Sequence, residues 1–224
     1  MSSASRGDLT TRARIRDGAV ECFAREGFSV SVRTIAEHAG VSPGLVIHHF
    51  GSKARLREEC DTHVRGVITE VKTQTVEEAS GAFMLQQMAE IEQYGPVLGY
   101  VLRSLQSGGV LAADFFELMV EDVERFMAVG VEAGTVASSR DPAARARYLT
   151  SSALGSLMLH TTLHHTGAEP DFGQVMQEWI EAYMLPALES YTEPVLLDRT
   201  LLDTYVAHAG GGAGDEGGTG TGDD

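Results

Sequence analysis

Between Ser31 and Lys53 the chain gathers Arg33, Thr34, Ser42, His48, His49 and Lys53, side chains that donate hydrogen bonds of the kind phosphate oxygens accept. Among them stand Pro43, Gly44 and Leu45, whose small or apolar surfaces suit shape readout and contact with thymine methyl groups, and the apolar Ile47. Gly44 has no side chain, so the backbone there can come close to another molecule's surface. Together these residue types could hold a nucleic-acid duplex.

Positioning them takes two very short helices and a tight turn. Ser31 is placed to cap the first helix, and Ile35, Ala36 and Ala39 give it an apolar face. Gly40 falls where a helix ends in a left-handed residue. Ser42-Pro43 then reads as a cap followed by a first helical position, where proline's missing N–H has no intrahelical partner to lose. The second helix, about Pro43–His49, is too short to stand alone, so Val41, Val46 and Phe50 must pin it to a core. Ser42, Pro43, Gly44, Leu45, Ile47 and His48 are left facing outward. This is the pattern of a helix-turn-helix, whose second helix enters the major groove while flanking groups hold the backbone.

The spacing closely resembles that of the TetR/AcrR family of bacterial transcription regulators. The matching residues are Ile35-Ala36, Ala39-Gly40-Val41-Ser42, Gly44, His49-Phe50, Ser52-Lys53 and Leu56. Ile47 departs from the pattern: the family usually carries tyrosine there, a ring that often touches phosphate, and isoleucine cannot donate a hydrogen bond. The resemblance implies an all-α protein, with an N-terminal three-helix helix-turn-helix head joined by a long helix to a larger helical ligand-binding and dimerisation body. It implies a sequence-specific DNA-binding regulator, a homodimeric repressor relieved by a small-molecule effector and seated on a pseudo-palindromic double-stranded operator. The DNA-binding set is then Arg33, Thr34, Ser42, Pro43, Gly44, Leu45, Ile47, His48 and Lys53, with Thr10 and Arg14 near the phosphates. The other reading is a helical ligand- or metal-binding protein whose head no longer reads DNA; Ile47 and a small positive balance are its support.

A net charge of −15 argues at first against nucleic acid, but the charge is unevenly placed. Residues 1–60 hold nine Lys and Arg against seven Asp and Glu, while the remainder holds eight against twenty-five. The basic excess lies with the motif, and the acidic remainder would be repelled by DNA and keep the head facing it. Two cysteines, Cys22 and Cys60, lie far apart in helical settings and suit a reduced compartment. No apolar run approaches the roughly 18 residues of a membrane span, and Met1–Asp8 lacks a signal peptide's apolar core. A cytoplasmic protein is expected.

Four regions follow: a flexible arm over 1–9, the DNA-binding head over 10–56, the effector-binding and dimerisation body over 57–208, and a disordered Gly/Asp-rich tail over 209–224. Helices are expected over Thr10–Glu26, from Ser52 to about Glu78, Ala82–Tyr94, Val97–Gln106, Leu111–Ala133, Asp141 to about Thr166, Asp171–Tyr191 and Pro194–His208. The long helix from Ser52 belongs to both halves, so motion at its far end can pass as a rigid rotation.

In the body, methionines and aromatics at helical spacing either pack as core or line an apolar cavity. The resemblance favours an effector pocket, for which Phe83, Met88, Tyr100, Phe116, Met119 and Trp179 are nominated. His160 and His164 stand at i and i+4, a metal-binding spacing, but no cysteine or carboxylate lies beside them in sequence, so neither a metal nor any other cofactor is expected. Small residues Ser151, Ser152, Ala153, Gly155 and Ser156 alternate with leucines, which allows close helix approach. By the resemblance, helices near 144–166 and 172–190 pair with their symmetry mates; one short recognition helix reads too few base pairs to specify a genomic site. A nucleophile elbow, a phosphate-binding glycine loop, an H-E-x-x-H pair and zinc cysteines are all missing, so no enzyme is expected.

Overall fold

The computed structural model describes residues 3–165 and 170–211. Among these there are helices and no strands. The order is α1 (Ser3–Glu26), α2 (Val32–His38), α3 (Pro43–Phe50), α4 (Lys53–Glu78), α5 (Gly81–Ala89), a 3-10 turn (Ile91–Tyr94), α6 (Gly95–Gln106), α7 (Gly109–Ala133), α8 (Pro142–His164), α9 (Phe172–Thr192) and α10 (Thr200–Gly211).

Several boundaries differ from those read in the sequence. Helix α1 begins at Ser3, so most of the expected arm is helical. The helix expected over Ala82–Tyr94 breaks at Glu90, whose φ of −106° and ψ of 10° lead into the 3-10 turn. Gly95-Pro96, expected to separate helices, instead opens α6, with the proline in the first turn where its missing N–H costs nothing. Helix α10 starts at Thr200 because Asp198 accepts the Thr200 amide there, and it runs to Gly211. The rest of the 209–224 tail lies outside the described residues.

The chain divides into a large unit through Ile180 and a small one from Glu181 onward. In the large unit one core runs from the head into the body: Ile15, Ala19, Cys22 and Phe23 of α1 meet Ile35, Val46, Phe50, Leu56, Cys60 and Val64, and then Tyr100, Phe115 and Met119. Tyr100 is fully buried, edge-on to Phe28, and donates its hydroxyl to Asp61 at 2.6 Å. Burial pushes the Asp61 carboxyl above the usual carboxylate range, against the opposing pull of that hydroxyl. A second cluster joins Leu98, Leu102, Leu157, Phe172 and Val175. Its closeness depends on Gly99, where a Cβ would stand 2.5 Å from the Phe172 ring and 2.9 Å from Ala24. In the small unit α10 leaves Leu201, Leu202, Tyr205 and Val206 exposed.

One tie fixes the head to the body, and two more fix the long helix α4 to α7. Arg103 of α6 donates to the carbonyls of Ala24 and Arg25, satisfying the open end of α1. Arg65 of α4 forms a two-pronged pair with Asp122 of α7, at 2.7 and 2.8 Å. Glycine at 130 lets α7 approach α4, because a Cβ there would lie 3.1 Å from Val76.

Cys22 and Cys60 are buried and reduced, and burial pushes both thiols up, away from the reactive thiolate. His63 of α4 lies 3.5 Å from the Asp17 carboxylate of α1. Burial, and after it the Arg16 charge, nevertheless hold its imidazole below the ordinary value, with Asp17 and Glu59 pulling the other way. An imidazole that is harder to charge when folded favours the native state above about pH 6.5. That contribution is lost as pH falls through the unfolded value toward the folded one. His63→Gln is therefore expected to flatten the decline of the urea midpoint between about pH 7 and pH 5; an unaltered decline would place the proton uptake elsewhere.

Candidate nucleic-acid interface

Local capping builds the head. Ser31, Ser42 and Ser52 each hold extended backbone and accept an amide three residues on, from Thr34, Leu45 and Arg55 respectively. Gly40 (φ +64°) and Gly51 (φ +75°) take the left-handed turns that end α2 and α3. Helix α3 is thereby set with Val46 and Phe50 in the core and Val41 packed against it. Its opposite side holds Ser42, Pro43, Gly44, Ile47 and His48 in solvent, with Leu45 half-buried. Ile47 is 44% exposed, high for an isoleucine on a helix that also has a buried face.

Gly44 is the informative position. It lies in the first turn of α3, and a Cβ built on it would meet nothing closer than Ser42 Oγ at 3.9 Å. The fold therefore makes no demand for glycine here, although glycine weakens a helix by up to about 1 kcal/mol relative to alanine. What glycine offers is a bare backbone facing outward.

The cations around α3 differ in their engagement. Arg33 is exposed and pairs with Glu37 at 2.9 Å across one helical turn. Lys53 is half-buried and donates to the Phe28 carbonyl at 2.6 Å, so it braces the α1–α2 turn. Arg14 and Arg55 are exposed and make no ion pair among the described residues. Thr34 is half-buried and its hydroxyl lies 2.9 Å from that of Ser31.

Arg12 is a positioning residue that sequence spacing did not single out. It donates to the His49 carbonyl at the C-terminal end of α3, pairs with Glu59 of α4 at 2.9 Å, and lies 4.4 Å above the Phe50 ring. A cation at this end also suits the helix dipole. The partners are 37 and 47 residues away, so no local pattern announces the contact.

The six nominated pocket residues are distributed over both core clusters and α5. Tyr100 and Met119 belong to the core shared with the head, and Phe116 packs on it. Trp179 packs on the second cluster and donates to Ser156 Oγ, tying α9 to α8. Phe83 and Met88 lie on α5. None of the six lines the cleft formed by Leu102, Arg103 and Gln106 of α6, Thr161, Thr162 and His165 at the end of α8, and Pro170 and Phe172.

Beside that cleft the histidines meet a carboxylate after all. Glu178 of α9 lies 2.9 Å from His165 Nε2 and 3.9 Å from His160 Nε2, through the same oxygen. The sequence expectation that no carboxylate accompanies them is corrected: it arrives from the next helix. Burial first, then the neighbouring imidazoles of His164 and His165, push the His160 imidazole down, against the opposing pull of Glu178.

A capped, glycine-bearing helix presented outward by a three-helix head, with a long helix leading into an all-helical body, defines a helix-turn-helix DNA-binding regulator. Residues 15–60 match the family model described as bacterial regulatory proteins, tetR family, and residues 92–197 match that of the tetracyclin repressor-like C-terminal domain. The HTH-type transcriptional regulatory protein RaaS of Mycobacterium tuberculosis is 44% identical over 202 residues, 90% of this chain and 94% of its own length. The chain belongs to the TetR family of transcription regulators. The HTH-type transcriptional repressor AcnR of Corynebacterium glutamicum is 42% identical over 57 residues, 24% of this chain and 30% of its own. A transcriptional regulator of Aquifex aeolicus VF5 has a solved structure that superposes with a TM-score of 0.52 at 22% identity, covering 79% of this chain and 99% of that one. These relatives do not favour the reading in which the head has lost its role. Among the described residues no helix is long and apolar enough to cross a membrane.

Proposed function

We propose that the protein is a cytoplasmic homodimeric repressor that binds a pseudo-palindromic operator and is released by a small-molecule effector. It acts by binding and not by catalysis. The observation that carries this is the outward side of α3, where Ser42, Pro43, Gly44 and Ile47 are exposed while Val46 and Phe50 hold the other side in the core. Residues 10–56 serve as the head and 57–208 as the body. Pro43, Gly44, Leu45 and Ile47 meet the bases by shape and apolar contact; Arg33, Thr34, Ser42 and His48 meet phosphates. Lys53 contributes its charge while bracing the Phe28 carbonyl.

Two copies are needed because one eight-residue recognition helix spans too few base pairs. Helices α8 and α9 supply the pairing surface. On α8, Tyr148, Leu159 and Leu163 are exposed beside the small residues Ser151, Ser152 and Gly155. An effector in the body acts through its differential affinity for two head spacings. Arg103 supports such a route, since it lines the α6–α8 cleft and also closes the end of α1.

The test is titration of duplex fragments flanking the protein's own gene, followed by fluorescence anisotropy at several salt concentrations. Saturation at two or more chains per duplex, with an affinity at least about a thousandfold above that for a scrambled duplex, is expected. The observed constant should fall steeply with salt. Equal affinity for all duplexes, or one chain per duplex, would refute the proposal.

A further inference from the structure

We infer that His160, His165 and Glu178 form a site for one divalent transition-metal cation of the zinc class, fastening α8 to α9. Two imidazoles and a carboxylate are a donor set that zinc uses, and imidazole nitrogen also suits cobalt and nickel. One ring nitrogen of each histidine and a carboxylate oxygen all lie within 4.8 Å of one another. Zinc–ligand lengths of about 2.0–2.1 Å at the tetrahedral angle require neighbouring ligands about 3.3 Å apart. The Glu178 oxygen stands 2.9 Å from one nitrogen and 3.9 Å from the other, on either side of that value.

The surroundings support the assignment. Gln174, one turn before Glu178, donates to the other carboxylate oxygen at 2.7 Å and so fixes the plane of the ligand. His160 is buried, which provides the dry wall such a site needs, while His165 and Glu178 are partly exposed and provide an entry path. An ordinary ion pair would use His165 alone; here a second imidazole, from the helix interior, is directed at the same oxygen. Three protein ligands leave one tetrahedral position for water or a bound molecule, and His165 also lines the cleft with Arg103, Gln106, Thr161 and Thr162. The site is independent of the operator reading, because it needs neither DNA nor a particular effector.

The experiment uses the full-length, tag-free protein stripped by a chelator and titrated with cobalt chloride, reading ligand-field absorption, then with zinc chloride in competition. One cobalt per chain, displaced by zinc, is expected. Glu178→Gln and His165→Ala, both at partly exposed positions, should each weaken cobalt binding at least about tenfold. His164→Ala, on the same stretch but outside the set, should leave it within about twofold. His160→Ala empties a buried position and could unfold the chain, so the other two variants carry the test. No ligand-field band at equimolar cobalt would overturn the site. So would a loss below tenfold in either Glu178→Gln or His165→Ala, or an equal loss in His164→Ala.

Discussion

Gly44→Ala is expected to make the protein more stable and its hold on DNA at least tenfold weaker. The two effects have separate origins. In the free protein a methyl group at position 44 meets only Ser42 Oγ, at 3.9 Å, so nothing need move to admit it. Alanine then restricts the unfolded chain and improves the helix, a gain of up to about 1 kcal/mol, or about 2–4 °C in Tm for a chain of this size. On the operator the same methyl would stand between the α3 backbone and the groove. A penalty of about 1 kcal/mol per head counts twice in a symmetric dimer and already exceeds the 1.4 kcal/mol that corresponds to tenfold. Gly66→Ala is the matched control: Gly66 is also helical, exposed and open to a Cβ, but lies on α4 beyond the head. It should raise Tm similarly and leave DNA affinity unchanged. Calorimetry and anisotropy on the two variants decide the matter. If Gly44→Ala binds the operator as tightly as the parent, the bare backbone of α3 is not a contact surface.

The contrast between these glycines shows what the sequence made legible. The head was readable because its determinants are local. Three serines each cap a helix through an amide three residues on, two glycines supply the left-handed turns, and a proline sits in the first turn of α3. Such signals fall within one or two turns of chain, where spacing alone fixes geometry. The body resisted because its determinants are distant. Tyr100 reads as an aromatic suited to a pocket, yet its hydroxyl finds Asp61 across 39 residues and it becomes core. Arg12 carries no local signal in the sequence, yet it reaches the far end of α3. His160 and His164 stand out at helical spacing, whereas Glu178 meets His160 and His165, and it comes from another helix. The Phe/Met-rich helices could be assigned to the body, but not divided between packing and cavity, since periodicity reports which face is apolar and not what fills the space before it.

The tie between α4 and α7 has the same long-range character and the largest expected effect on stability. Asp122 is 6% exposed and receives Arg65 through two hydrogen bonds, with Arg125 of its own helix also paired to it. Arg65 additionally donates to the Leu118 carbonyl at 3.2 Å. Two charges so placed repay their desolvation only while both are present. Asp122→Ala leaves the Arg65 guanidinium, itself 17% exposed, without its counter-charge, and is expected to cost about 3–5 kcal/mol, or about 10 °C in Tm. Removing both charges is a different experiment. In Arg65→Met with Asp122→Leu the apolar side chains fill the same space, so most of the single-variant loss should be recovered. Urea unfolding followed by circular dichroism of the parent, Arg65→Met, Asp122→Leu and the double variant gives the four free energies from which the coupling is read. A cost under about 1 kcal/mol for Asp122→Ala would show that the pair behaves as an exposed one. The double variant also isolates what the charges do beyond stability. It restores the packing of α4 on α7 while removing the directional bonds that fix their register. Since α4 begins at the head, a double variant of parental stability but altered operator affinity would assign those bonds to head placement.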